Sequence, residues 1–212
     1  MSASSPLTLL RGLYVITDSG LSQPPSSLRH KVALAIEGGA RMVQIRDKQT
    51  TPDIAEIQAI ADLCQQYKIP LLINDRVELA VQVGADGVHL GQSDARLSEA
   101  RQRLGESAII GITCHDSIDL AKRAESEGAN YVAFGRFFAS RTKPEAPPAS
   151  LEVLQQARQQ LHIPIVAIGG ITPDNGDSLI HAGADMLAVI HGVFGQGDIT
   201  AAAKKFSPLF EP

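Results

Sequence analysis

The sequence predicts a single α/β domain across the 212 residues, a closed (β/α)8 TIM barrel with the barrel itself over about 13–206. Three observations predict it: a phrase repeated four times, eight short apolar runs alternating with helical segments, and the length and composition of one globular domain. The phrase is Gly39-Ala40-Arg41-Met42-Val43, which returns as Gly84-Ala85-Asp86-Gly87-Val88, Gly128-Ala129-Asn130-Tyr131-Val132 and Gly183-Ala184-Asp185-Met186-Leu187. Glycine ends a helix by taking the left-handed conformation at its C-cap. A two-residue connection then leads into a buried strand.

The apolar runs fall at 13–17, 42–46, 71–74, 87–90, 109–113, 131–135, 164–169 and 186–191. They are rich in Val, Ile and Leu without strict alternation, as parallel strands covered by helices are. Between them, 52–66 sets Ile54, Ile57, Ala61 and Cys64 or Leu63 on one helical face. Likewise 116–127 sets Ile118, Ala121 and Ala124 on one face, with Asp116 or Ser117 as cap, and Pro173 stands near the start of a later helix. Eight alternations favour a closed barrel over an open doubly wound sheet. The one long connection, 136–149, carries Lys143 among Pro144, Pro147 and Pro148 and is expected to be a mobile lid.

Composition narrows the partners. Hydrophobic residues make up 44% and charged residues 20%, as in ordinary globular domains, and a chain of this length buries about 70% of its unfolded surface. A net charge of −4 lacks the basic footprint of a nucleic-acid binder, and 4% aromatics with no Trp provide no stacking platform. Cys64 and Cys114 form neither CxxC nor zinc spacing and read as buried thiols in a reducing compartment. No apolar stretch approaches the ~20 residues of a membrane span, and the start shows no basic segment leading into an apolar run. The expectation is a cytoplasmic protein with no nucleic-acid or membrane partner; no oligomeric state follows from the sequence.

Barrel ligands sit at the C-terminal ends of the strands, so the strand endings become the candidates. Strands three and four end near Asp75 and Asp94, two carboxylates able to hold Mg2+ or to cap the following helices. Arg46, Lys48 and Lys143 point to a polyanion such as pyrophosphate, or form a solvated rim. Gln44, Arg46 and Lys48 share one face if their strand persists. Gly169-Gly170 and the turn at 190–192 follow strands seven and eight, where barrels recurrently bind phosphate, although Gly-Gly also serves tight turns. His89 lies within a strand and His115 just past one, both read as structural; His30, His162 and His181 read as surface positions. His191 alone stands at the phosphate turn. No Ser-His-Asp or Cys-His set is placed for covalent catalysis.

Taken together, these endings resemble the thiamine-phosphate synthase family. The resemblance covers about 13–198 and rests on Leu13-Tyr-Val-Ile-Thr-Asp18, Val43-Gln-Ile-Arg-Asp-Lys48, Ile73-Asn-Asp-Arg76, Gly84-Ala-Asp-Gly-Val-His-Leu-Gly-Gln92, Asp94, Gly135, Thr142-Lys143 and Ala167-Ile-Gly-Gly-Ile171. It implies a Mg2+-assisted, dissociative joining of hydroxymethylpyrimidine pyrophosphate to thiazole phosphate, giving thiamine phosphate and pyrophosphate. It further implies Asp75 and Asp94 as metal ligands, and Gln44, Arg46, Lys48 and Asn74 around the pyrimidine pyrophosphate. Thr113 falls beside the pyrimidine and Lys143 on the pyrophosphate. Ser140, Thr142, Gly170 and the Ile190-His191 backbone fall on the thiazole phosphate. Arg46, Lys48, Thr113 and Lys143 are its implied catalytic set. Three positions depart from the family pattern: Thr113 stands where Ser is usual, Ser140 replaces a Thr, and His191 occupies a frequent Ser position. Two rival readings are a thiazole tautomerase sharing the barrel, which needs an acid/base residue rather than a pyrophosphate clamp, and a non-catalytic phosphate-ligand module, which would show an eroded clamp.

Overall fold

In the computed structural model, which describes residues 10–18, 20–21, 28–140 and 148–211, eight parallel strands close in chain order, β1 pairing with both β2 and β8. The strands are β1 (Gly12–Ile16), β2 (Ala40–Ile45), β3 (Leu71–Asn74), β4 (Gly87–Leu90), β5 (Ile109–His115), β6 (Tyr131–Phe134), β7 (Ile165–Ile168) and β8 (Met186–Val189). Each lies within two residues of its predicted run. His115 differs: it ends β5 rather than following it, in a left-handed conformation (φ 53°) after a register shift against β6. The helices are α1 (Leu28–Glu37), α2 (Ile54–Tyr67), α3 (Val77–Val83), α4 (Leu97–Leu104), α5 (Ile118–Ser126), α6 (Leu151–Gln160), α7 (Pro173–His181), α8 (His191–Phe194) and α9 (Ile199–Lys204). The extra segments relative to eight alternations are α8, a single turn inserted after β8, and a 3-10 turn over Ser207–Phe210.

Local chemistry explains the helix ends. Ser117, not Asp116, caps α5, its side chain accepting from Leu120 N, and Pro173 opens α7 behind a Thr172–Asn175 capping box. On α2 the fully buried stripe is Ile57, Ile60, Leu63 and Cys64, with Ile54 and Ala61 half-buried at its margin.

The core has two layers. The larger lies between the strands and the helices. The smaller fills the barrel with Tyr14, Ile16, Met42, Leu72, Tyr131, Val166 and Met186. Packing inside so narrow a barrel needs large residues opposite small ones. Gly111 on β5 is the small partner of Tyr131 on β6, since a Cβ at 111 would sit 1.9 Å from Tyr131 Cζ.

The repeated phrase proves to be a joint that precedes each even-numbered strand. In its last three copies the helix closes by a Schellman turn: Ala85 N donates to Ala80 O, Ala129 N to Ala124 O and Ala184 N to Leu179 O. The third residue then pins the strand before it. Asp86 Oδ2 accepts from Leu71 N (2.8 Å), Asn130 Oδ1 from Ile110 N (2.9 Å) and Asp185 Oδ2 from Ile165 N (2.8 Å). Arginines complete two of these pins, Arg101 on Asn130 (2.7 Å) and Arg158 on Asp185. Arg41 fills this position in the first copy, and its stem covers Gly12 instead.

Asn130→Ala removes the acceptor of a strand N–H and of Arg101 on the rim opposite the strand ends that carry the candidate site. The expected cost is about 1–3 kcal/mol of folding stability, with turnover at 25 °C unchanged. Urea unfolding and a rate measurement on the same sample check both halves.

Candidate active site

The C-terminal rim is built around two carboxylates. Asp75 directly follows β3 in a left-handed conformation (φ 62°), its N–H donating to His89 O across the β3–β4 seam. Asp94 lies in the turn after β4, where Oδ2 accepts from Gly91 N (2.6 Å). Neither caps a helix: the N-cap positions of α3 and α4 are Arg76 and Arg96, without side-chain caps. The two carboxyl groups instead lie against each other. Burial pushes the Asp75 pKa up, but hydrogen bonds from Lys48 and Asp94 and the Lys48 charge outweigh it, leaving it below the usual carboxylate range. Burial and the neighbouring Asp75 push the Asp94 pKa up.

Two cations meet carboxylates on this rim, one of them on this pair. Lys48 Nζ donates to Asp75 Oδ2 at 2.9 Å, and Arg46 Nη1 donates to Asp18 Oδ2 at 3.0 Å. β2 ends at Ile45, so strand alternation does not carry Gln44, Arg46 and Lys48 on one face. Carboxylates on neighbouring strand ends position the two cations, and Arg46 N is held by Thr17 Oγ1 (3.0 Å). Burial grades along this run: Gln44 is buried, Arg46 half-buried and Lys48 exposed. The Arg46 side chain is 16% exposed, which rules out a fully solvated rim position. Asn74, the last residue of β3, is half-buried beside Asp75.

Below the charges a row of hydrogen bonds crosses the barrel. Gln44 Nε2 donates to Tyr14 Oη, Tyr14 Oη meets Tyr131 Oη at 3.0 Å, and Tyr131 Oη meets His89 Nδ1 at 2.8 Å. His89 Nε2 then meets Thr113 Oγ1 at 2.8 Å. Gln44 and Thr113, both predicted from the sequence, are thereby its two ends.

On the other side of the rim, Gly169 and Gly170 hold φ of 108° and 64°, and a Cβ at 170 would lie 2.4 Å from Ala139 O. The loop after β6 rests against them: Phe137 N donates to Ile168 O and Phe138 N to Gly169 O. Ser140 therefore follows a segment anchored on β7. The far foot of that loop is tied by Ala149 N to Arg136 O (2.7 Å). Thr142, Lys143 and the centre of the expected lid fall at 141–147, outside the described residues. Gly192 packs against Ile171 O, where a Cβ would sit at 2.7 Å, so the Ile190-His191 turn borders the Gly170 loop. Asn175 ties that loop, donating to Gly170 O (3.1 Å) and accepting from Thr172 N (2.8 Å). His30, His162 and His181 are exposed, as expected.

The residues fit a hard divalent cation. Two oxygen-donor carboxyl groups lie together here, and Mg2+ takes one or two carboxylates, completing its shell with water and phosphate oxygens. Among the described residues no group of three or more His, Cys, Asp or Glu side chains gathers, so further ligands would come from substrate or solvent. Sequence reasoning missed Asp18, Tyr14, Tyr131 and the position of His89 in the row. Period-2 alternation within β4, with buried Val88 and Leu90 in the outer core, is the signal that turns His89 inward.

Residues 13–193 match the family model described as thiamine monophosphate synthase. A thiamine-phosphate synthase of Alcanivorax borkumensis is 52% identical over 97% of each chain. One of Marinobacter nauticus is 55% identical over 94% of this chain and 90% of the relative. The solved thiamine phosphate pyrophosphorylase of Pyrococcus furiosus superposes with a TM-score of 0.86 at 34% identity, covering 96% of this chain and 97% of that one.

The raised pKa of Asp94 sets a sign. Because its folded pKa is raised, ionised Asp94 costs folded stability once pH rises above about 4, the unfolded value, and costs nothing below it, where both states carry the proton. Asp94→Asn in EDTA is therefore expected to unfold at a higher temperature than the parent at pH 7, with the gain fading as pH falls to about 4. An unchanged or lower midpoint at pH 7 overturns the like-charge account.

Proposed function

The chain belongs to the thiamine monophosphate synthase family, a family of transferases, and from that premise we propose that its rim joins hydroxymethylpyrimidine pyrophosphate to thiazole phosphate by a dissociative substitution. The observation that carries the reading is the cluster in which Lys48 lies on Asp75 and Asp75 on Asp94, with Arg46 paired to Asp18 beside it. Such a cluster offers hard oxygen donors and exchangeable cations in one place, as a pyrophosphate leaving group requires.

In this reading Gln44 and Thr113 hold the aminopyrimidine, with Asn74 beside it. Arg46 and Lys48 exchange their carboxylate partners for pyrophosphate oxygens, and Lys143 joins them. When bound by Asp75 and Asp94, Mg2+ supplies charge neutralisation to the leaving pyrophosphate. The aminopyrimidine tolerates the cationic centre left behind, and the thiazole nitrogen then attacks it. That nitrogen is already nucleophilic, which accords with a site that presents cations and carboxylates rather than a nucleophile and base. Ser140, Thr142, the Gly170 N–H and the backbone at Ile190 and His191 hold the thiazole phosphate, using the β7 and β8 loops and the short helix α8. Cytoplasmic placement belongs to the same reading. In its favour, Cys64 and Cys114 are both free and buried, and no helix among the described residues is long and apolar enough to cross a membrane.

Two measurements test this. Turnover with both substrates is expected to stop in EDTA and return with Mg2+, and Asp75→Ala is expected to lose at least ~100-fold; full activity in EDTA overturns the metal role. His191→Ser is expected to change the thiazole-phosphate KM by less than ~10-fold, about 1.4 kcal/mol, and to leave kcat nearly unchanged, because this phosphate does not react. A 100-fold loss of kcat would place His191 in the chemistry.

A further inference from the structure

The row of hydrogen bonds across the barrel has a direction. Each tyrosine hydroxyl has one proton to give. Gln44 Nε2 donates to Tyr14, so the Tyr14 proton goes to Tyr131, and the Tyr131 proton goes to His89 Nδ1. A neutral imidazole accepting at Nδ1 carries its proton on Nε2, which then donates to Thr113 Oγ1. The Thr113 hydroxyl proton is thereby available to a ligand, and Gln44, with one amide N–H spent on Tyr14, keeps its Oε1 acceptor.

The two ends are locked to opposite polarity. Reversing one end requires every member between them to reverse, including the imidazole tautomer and the amide. The middle of the row is well insulated from competing water. Tyr14 is 1% exposed and Tyr131 fully buried, Tyr131 stacks on the His89 ring (centroids 5.6 Å apart, planes 18°), and Gly111 keeps its space open.

We propose that Tyr14, Tyr131 and His89 are positioning residues that make Gln44 and Thr113 a single polarity-reading unit, selecting a pyrimidine edge with an amino donor beside a ring-nitrogen acceptor over its 4-oxo counterpart. The 4-oxo edge offers a carbonyl acceptor beside a ring N–H donor, a mismatch at both ends at once. Sites built on such hydrogen bonds discriminate strongly, because a mismatched ligand leaves buried polar groups unpaired. This selectivity rests on the substrate reading above; the orientation of the row does not.

The test separates the two. Tyr131→Phe and Tyr14→Phe each delete one hydroxyl and keep the ring. For each, the ratio of kcat/KM between the aminopyrimidine pyrophosphate and its 4-oxo analogue is expected to fall about 10-fold, read by pyrophosphate release. The double variant is expected to fall no further than either single, since a row cut once is already uncoupled. Additive losses, or a ratio kept within about 3-fold, overturn the proposal. Nitrogen-15 spectra of histidine-labelled parent protein are expected to show His89 protonated on Nε2, with that tautomer no longer dominant in Tyr131→Phe. A proton on Nδ1 in the parent overturns the direction of the row whether or not the enzyme turns over. Absence of turnover in the parent with that tautomer present would instead fault the substrate reading alone.

Discussion

A sheet whose first strand hydrogen-bonds to its last has no edge, and because all eight strands run parallel, every C-terminal end opens on the same rim. Everything at the site depends on that closure. Residues 18, 46, 75, 94, 113, 140, 170 and 191 are dispersed along the chain, yet each follows a strand or, like Thr113, lies in its C-terminal half, and so belongs to the same end of the barrel. Closure also sets the interior width. Tyr131 spans it only because the adjacent strand offers Gly111.

Electrostatics at the rim follow a rule of mutual restraint. Arg46 and Lys48 are each held by a carboxylate on a neighbouring strand end, and the carboxylates are held in turn by their cations, by Gly91 N–H or by each other. Long cationic side chains lose several rotors on binding an anion. A prior ion pair orders part of that freedom before the anion arrives, and the exchange conserves charge compensation. Arg46 is the less exposed of the two (16% against 52% for Lys48).

Much of this was legible in the sequence because its signals are local. The glycine that ends a helix, the two-residue connection and the apolar run are read within a few positions, and they place eight strands to within two residues. Once the strands are placed, Asp75, Asp94, Arg46 and Lys48 follow from their ends. What stayed hidden is what closure alone creates. Tyr14 and Tyr131 are 117 positions apart, and no spacing rule connects them. Asp18 closes the stretch Leu13–Asp18, but nothing in that stretch names its partner, which is Arg46, 28 positions on. The one-turn helix α8 is shorter than any hydrophobic period can register. The carboxylates left open a capping role that only the geometry of α3 and α4 decided.

The pins formed by Asp86, Asn130 and Asp185 divide the cylinder in a way its smooth hydrogen-bond ladder conceals. Each ties an even strand's entry to the odd strand before it, β3 to β4, β5 to β6 and β7 to β8. Three of the four strand pairs carry this pin and Arg41 stands in its place in the first, so the scaffold approximates a repeat of strand pairs that the residues of the C-terminal rim do not follow. The carboxylate pair follows the second unit, the cations Arg46 and Lys48 the first, and the loops at Gly170 and His191 the fourth. The same joint recurs where it bears no catalytic duty, so the active rim is free to diverge from unit to unit while the opposite rim keeps the pieces interchangeable in form. Such a molecule has its natural seams between units, and recombination or splitting of the gene would find its least disruptive crossing points there, ahead of the odd-numbered strands.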